Sequence, residues 1–226
     1  MKKRLERALI AAIAGAALLG GAGIAGATPA QAQQQGERLH FAMLPPSASY
    51  GVSSMSTGRE TSPPLGYVQF CQAQPAECGH ANDRGGQVVL DQAGFSQLVA
   101  VNADINARIK PMTDLDHYGV VEYWAYPDDG YGDCEDYVLL KRRTLIGLGW
   151  PAETLLITVV RDVNGEGHSV LTVVTDRGDL VLDNQNDKVR SWLDTPYRYV
   201  KRQMQGQPDR WVSLGDARAP ATVGRN

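Results

Sequence analysis

Gly132-Asp133-Cys134-Glu135-Asp136-Tyr137-Val138-Leu139-Leu140-Lys141-Arg142-Arg143 places a cysteine at the threshold of a helix. Val138, Leu139, Leu145, Ile146 and Leu148 supply an apolar stripe, Lys141, Arg142 and Arg143 the expected solvated face, and Gly149 before Trp150-Pro151 a terminus. Cys134 therefore belongs to the first turn. The period then changes. Leu155 to Arg161 is β-branched and apolar, Asp162 to Gly167 carries turn signals, and His168 opens a second run through Thr175. Asp176-Arg177-Gly178-Asp179 reads as a tight turn, and Leu180-Val181-Leu182-Asp183 as a third strand. The pattern predicts helices followed by paired antiparallel strands, with two more strands at 197–204 and 210–214.

Working towards the N-terminus, Phe95, Leu98, Val101, Ile105 and Ile109 recur at spacings of three and four, marking one helix face that Pro111 ends. A short helix is expected from Leu65 to Gln74. Residues 33–64, with Pro45-Pro46 and Pro63-Pro64, read as an extended arm with little packing, and 215–226 as a frayed tail. Lys2, Lys3, Arg4 and Arg7 head an apolar run from Ala8 to Ala27, and Ala30-Gln31-Ala32 has the small residues of a signal-peptidase site. Residues 1–32 are expected to be a cleaved secretory signal. The rival reading is an uncleaved anchor, but only six of the 20 apolar-run residues are Leu or Ile. The domain proper is expected at 65–214.

The whole chain of 226 residues carries a formal net charge of −3, which gives no basic excess for phosphate backbones and argues against nucleic acid as a partner. The leader holds four of the basic residues and a single acid, Glu6, so the exported part is more acidic still. Export also changes the meaning of the three cysteines: an odd number leaves one unpaired in an oxidising compartment. Cys71 and Cys78, with Pro75 favouring a turn between them, are the expected disulfide. Cys134 is left free.

Thiol catalysis needs a thiolate, a base that accepts and returns a proton, and a third group that orients the base. Cys134, His168 and Asp183 occur in the order that would supply them, and a helix N-terminus favours a thiolate through its unpaired N–H groups and dipole. The other histidines fit less well: His40 lies in the arm, His80 follows the disulfide loop, and His117 reads as a surface or capping residue. For the orienter, the hairpin matters. A two-residue turn at Arg177-Gly178 sets Asp183 opposite Thr172, about 13 Å along the strand from His168 at roughly 3.3 Å per residue. Asp187 would then face His168, so Asp183 requires a bulge, an irregular loop or a side-on approach.

Gly132-Asp133-Cys134-Glu135-Asp136-Tyr137, with Lys141-Arg142-Arg143, Gly149-Trp150-Pro151, Gly167-His168 and Leu182-Asp183-Asn184, resembles the bacterial transglutaminase-like cysteine peptidases of the LapG type over roughly residues 65–204. The resemblance implies a papain-like or transglutaminase-like α+β fold, with the nucleophile on a helix start packed against an antiparallel sheet. It also implies a Cys134-His168-Asp183 triad, favouring Asp183 over Asp187, and calcium-dependent cleavage of a protein substrate in the periplasm. By the same resemblance that substrate is a large surface adhesin of the biofilm, and an inner-membrane receptor for cyclic diguanylate controls the protease.

Calcium also has a physical rationale. Asp133, Glu135 and Asp136 surround Cys134, and three carboxylates so close oppose thiolate formation unless a cation with a taste for six to eight oxygens offsets them. Read without the resemblance, Asp133 is a helix N-cap, Asp136 its capping-box partner and Glu135 a residue suited to the positive end of the helix. Asp128 and Asp129 remain further candidate ligands. The Cys134 backbone N–H is an expected oxyanion donor, whereas Trp124 fits a core position better. The same thioester could be captured by an amine, making transglutaminase or amidase chemistry the nearest alternative, and a non-catalytic envelope binding module a more distant one.

Overall fold

A computed structural model describes residues 54–79 and 86–215. The expected signal peptide, most of the expected arm, the tail beyond Gly215, His40 and His80 lie outside those residues. In chain order the elements are β1 (Glu60–Thr61), α1 (Leu65–Ala73), α2 (Gln92–Arg108), β2 (Lys110–Pro111), α3 (Asp114–Tyr118), β3 (Tyr131–Gly132), α4 (Cys134–Gly147), β4 (Leu155–Arg161), β5 (Gly167–Thr175), β6 (Gly178–Asp183), β7 (Asn186–Ser191), β8 (Arg198–Met204) and β9 (Gln207–Ser213). This is the expected α+β order. No helix among the described residues is long and apolar enough to cross a membrane.

The strands from β4 onward, together with β1, form a seven-stranded antiparallel sheet in the order β1-β9-β8-β4-β5-β6-β7. Its central strands are buried on both faces, which is why they read as continuous apolar runs rather than as alternation. One face, through Leu155, Ile157, Leu171, Val173 and Leu182, meets the helices in the main core. The other, through Val160, Val170, Val181 and Tyr199, packs under Met55 and Trp192. Met55 comes from the expected arm. Its backbone N–H donates to Asp179 Oδ2 at 2.9 Å, and Glu60 and Thr61 pair with Val212 and Trp211, so the described end of that segment is extended but docked on the sheet.

α2 lays Phe95, Leu98, Val101 and Ile105 into the core, as their spacing requires, and Asp91 caps it by accepting from Gly94 N at 2.7 Å. α4 buries Tyr137, Val138, Leu139 and Leu145, and Gly149, at φ 94°, turns the chain out of the helix. Burial of each large aliphatic side chain is worth roughly 2 kcal/mol, so Leu145→Ala would cost about 2–5 kcal/mol once the cavity is included. The expected solvated face of α4 needs correction. Lys141 and Arg142 are buried, and only Arg143 is exposed. β4 starts against this part of the helix, and Arg142 Nε donates to Leu155 O at 3.1 Å, so the charged run is enclosed by the sheet it precedes.

Candidate active site

The start of α4 is held by two cross-links that precede any chemistry. β2 and β3 pair in parallel, Lys110 with Tyr131 and Pro111 with Gly132, and Tyr137 Oη donates to Ile109 O at 2.6 Å. Gly132 is required by space: a Cβ there would lie 2.7 Å from Asp136 Oδ2. Cys134 thus enters the first turn of α4 facing β5. Its thiol donates to Glu135 Oε2 at 3.2 Å and also meets the backbone N–H of Ser169, the residue after His168. The sulfur is unpaired, because Cys71 and Cys78 form the expected disulfide with Cα atoms 5.6 Å apart.

His168 is the second residue of β5, where it pairs with Val160. Its Nε2 lies 2.9 Å from Asp183 Oδ1, while its Nδ1 is buried without a hydrogen-bond partner. Asp187, the alternative orienter, instead accepts from Asn106 Nδ2 at 2.8 Å. The expected turn was one residue out of place. Thr175 pairs with Gly178, so Asp176-Arg177 form the turn, and Leu171 pairs with Leu182. Continued by one step, that register sets Asp183 opposite Val170, only two residues from His168. The offset is then about 7 Å between backbones on one face, which two side chains can span, and the β6–β7 ladder does shift register between Val181 and Asp183.

Asp183 is well supplied with donors. Oδ1 also accepts from Gln185 N at 3.0 Å, and Oδ2 accepts from Tyr197 Oη at 2.5 Å. Burial alone would raise this carboxyl, but the hydrogen bond and charge of His168, then Tyr197 and Gln185, outweigh it and hold the group below the ordinary carboxylate value. The Tyr197 ring also meets His168 edge-on at 5.4 Å. Asp183 and Tyr197, with Val181 and Arg190, line a cavity of about 200 Å³ whose wall includes neither Cys134 nor His168. Tyr197 was not foreseen, since a lone tyrosine after Thr195-Pro196 carries no catalytic pattern.

Around the sulfur the electrostatics run the other way. Cys134 is only 3 % exposed, and burial, then Glu135 and Asp133, push its thiol well above the ordinary value, with the Ser169 N–H pulling weakly down. Burial likewise lifts Asp133 to about 7 and Asp136 to about 8, and Glu135 well above its usual range. Asp114, which the sequence reading did not single out, is buried beside Asp133 and Asp136.

These acids fit a hard cation. Asp133 and Asp136 stand in a capping-box relation, with Asp133 N donating to Asp136 Oδ2 at a loose 3.4 Å. Yet Asp133 and Glu135 bury their carboxyl groups against each other, with Glu135 Oε1 left without a hydrogen-bond partner, a costly condition that an oxygen-seeking ion would relieve. Asp128 and Asp129 are engaged elsewhere: Asp128 pairs with Arg143 at 2.9 Å, and Asp129 with His117 at 2.7 Å. Trp124 is a core residue, its indole N–H on Glu122 and its ring 5.5 Å from that of Tyr67.

The family model for bacterial transglutaminase-like cysteine proteinases matches residues 57–219, from β1 through β9. Among solved structures, Legionella pneumophila LapG matches at 28% identity and a TM-score of 0.41, covering 47% of this chain and 61% of that one. Its calcium-bound form matches at 24% identity and a TM-score of 0.44, covering 57% of this chain and 73% of that one. No curated protein gives a significant match. The extent of the family match, over a fold that presents Cys134, His168 and Asp183 from a helix start and two adjacent strands, places the chain among the bacterial transglutaminase-like cysteine proteinases.

Proposed function

We propose that the chain is an exported, calcium-dependent cysteine endopeptidase that cuts a protein substrate through a Cys134-His168-Asp183 triad. The 2.9 Å contact of His168 Nε2 with Asp183 carries the reading, because it leaves Nδ1 of the same ring, buried and unpartnered, as the nitrogen open to a thiol. The Cys134 thiol itself donates to Glu135 Oε2 and must turn from it to Nδ1 for the first step. Cys134 Sγ bonds to the scissile carbonyl carbon while its proton passes to Nδ1. The carbonyl electrons move onto oxygen, where the Cys134 backbone N–H, an unpaired first-turn donor, stabilises them. Collapse breaks the C–N bond and His168 returns the proton to the leaving amine. Water, deprotonated by His168, then hydrolyses the thioester and restores the thiol.

Asp133, Glu135 and Asp136 would hold the calcium ion, with Asp114 adjoining. When bound, it supplies positive charge that offsets the carboxylates opposing a thiolate at Cys134. The signal-like residues 1–32 support a periplasmic location. The family resemblance supports a large surface adhesin as substrate and an inner-membrane cyclic-diguanylate receptor as partner.

The test compares envelope proteins shed by cells carrying the wild-type chain and Cys134→Ala, with and without EGTA. A large surface protein released as a cut chain only by the wild type with calcium is the expected result. Identical profiles would refute the reading, and an isopeptide-linked product would replace hydrolysis by transfer.

A further inference from the structure

The β5–β6 ladder ends at Leu171 with Leu182, and Asp183 is the first residue beyond it. At such a departure the backbone N–H and C=O of Asp183 must find other partners or remain orphaned. Both are met from α2. Asn102 Oδ1 accepts from Asp183 N at 3.1 Å, and Asn106 Nδ2, one helical turn later, donates to Asp183 O at 2.9 Å. Asn102 Nδ2 also donates to Asn186 O at 2.8 Å, at the far end of the turn into β7, and Asn106 Nδ2 reaches Asp187 Oδ1.

Asn102 is fully buried within the stripe formed by Leu98, Val101 and Ile105, a position where an apolar residue would be cheaper unless the amide were needed. Among the described residues, both hydrogen bonds of its side-chain amide go to the backbone of the turn that carries Asp183. We propose that Asn102, seconded by Asn106, is a positioning residue: it fixes the Asp183 backbone so that the carboxylate stays within hydrogen-bond distance of His168. The proposal rests on the triad reading above and extends it to α2. The side-chain hydrogen bonds of the two asparagines go to Asp183, Asn186 and Asp187. Their effect passes through Asp183, where a misplacement of about 1 Å suffices to cost on the order of 100-fold in rate.

The experiment uses the purified full chain with calcium chloride and follows the rate at which iodoacetamide alkylates Cys134, read by mass spectrometry from pH 5 to 9. Four proteins are compared: wild type, Asn102→Ala, Asp183→Ala and the double variant. Asn102→Ala is expected to slow alkylation about 10- to 100-fold below pH 7 and to shift the pH profile towards that of Asp183→Ala. In the Asp183→Ala background it should cost nothing further, because the two substitutions remove the same contribution. A general loss of structure would instead slow both backgrounds by the same factor, and that outcome, or a wild-type rate for Asn102→Ala, overturns the proposal. Asn106→Ala, at a half-exposed position that leaves no core cavity, should show the same non-additivity in smaller degree and keeps the test open should Asn102→Ala fold poorly. A wild type whose alkylation is insensitive to Asp183→Ala would overturn the triad reading itself, and this proposal with it.

Discussion

Replacing Lys141 by Met should stabilise the protein by an amount that depends on pH. Lys141 is fully buried on α4, its Nζ has no hydrogen-bond partner, and it lies 5.8 Å from the centre of the Tyr137 ring. Burial pushes its amine down from 10.5 to about 7, against the pull of Asp183 and Asp187. A lysine depressed in the folded state binds more protons when unfolded throughout the window between those values, so stability rises as pH climbs through it. At about 1.4 kcal/mol per pKa unit the full gap sets a ceiling of about 5 kcal/mol, of which about 2 kcal/mol should be recovered between pH 7 and 9. Asp133 and Asp136, lifted to about 7 and 8, act in the opposite sense, since raised carboxyls lose stabilisation as pH rises through those values. The wild-type curve therefore mixes both. The difference between Lys141→Met and wild type isolates the lysine, because Met fills similar space without the charge. Urea unfolding of both chains at pH 6, 7, 8 and 9 measures it, provided the m-values agree. Met should be ahead by several kcal/mol at pH 6 to 7 and lose about 2 kcal/mol of that lead by pH 9. A difference that is flat with pH, or a Met variant that is weaker throughout, would show that the ammonium is satisfied where it sits.

Tyr197→Phe removes one donor from Asp183 while keeping the ring against His168. With bonds to charged groups worth roughly 1.5–3 kcal/mol, kcat should fall about tenfold or more with little change in KM, and unchanged steady-state kinetics would show the contact to be idle. Calcium chloride at about 100 times its Kd should raise Tm by roughly 5–10 °C by mass action, as read by differential scanning fluorimetry. Asp133→Asn with Glu135→Gln should abolish that rise, and a rise that persists would move the ion elsewhere. Gly66→Ala would bring a Cβ within 2.3 Å of the Trp124 ring, a rigid neighbour that cannot swing away. It should cost about 1–3 kcal/mol in urea unfolding, and a neutral result would show that α1 slides on the core.

Much of this fold is legible in the sequence wherever burial imposes a period. The stripe on α2, the start and stop of α4 and the β4 to β6 runs are all visible because each element must hide an apolar face. β7 escapes notice for the converse reason: Asn186-Asp187-Lys188-Val189-Arg190-Ser191 is an edge strand that buries only Val189, so its composition reads as loop. Lys141-Arg142 misleads in the same way. Charge in a helix predicts solvent only when nothing packs over it, and the start of β4 depends on a later part of the chain.

The site divides along the same line. Cys134 is readable because nucleophile, helix start and acidic neighbours are contiguous, whereas the partner of His168 depends on a turn, and displacing that turn by one residue moves the facing position by two. Placing the turn at Arg177-Gly178 leaves Asp183 out of reach, whereas Asp176-Arg177 brings it to 2.9 Å. Thr175 shows why the earlier turn wins. Its hydroxyl donates to Gly178 O at 2.6 Å and accepts from Arg177 N at 3.1 Å, while Gly178, at φ 95°, takes a backbone conformation that a side chain would resist. Local turn chemistry thus sets the register of the hairpin, and the register decides which carboxylate reaches His168. Lengthening the turn by one residue after Arg177 should leave the sheet paired yet separate Asp183 from His168. Alkylation of Cys134 in that insertion variant should follow the slow, shifted pH profile expected of Asp183→Ala, and a wild-type profile would mean that the orienting carboxylate does not depend on this hairpin.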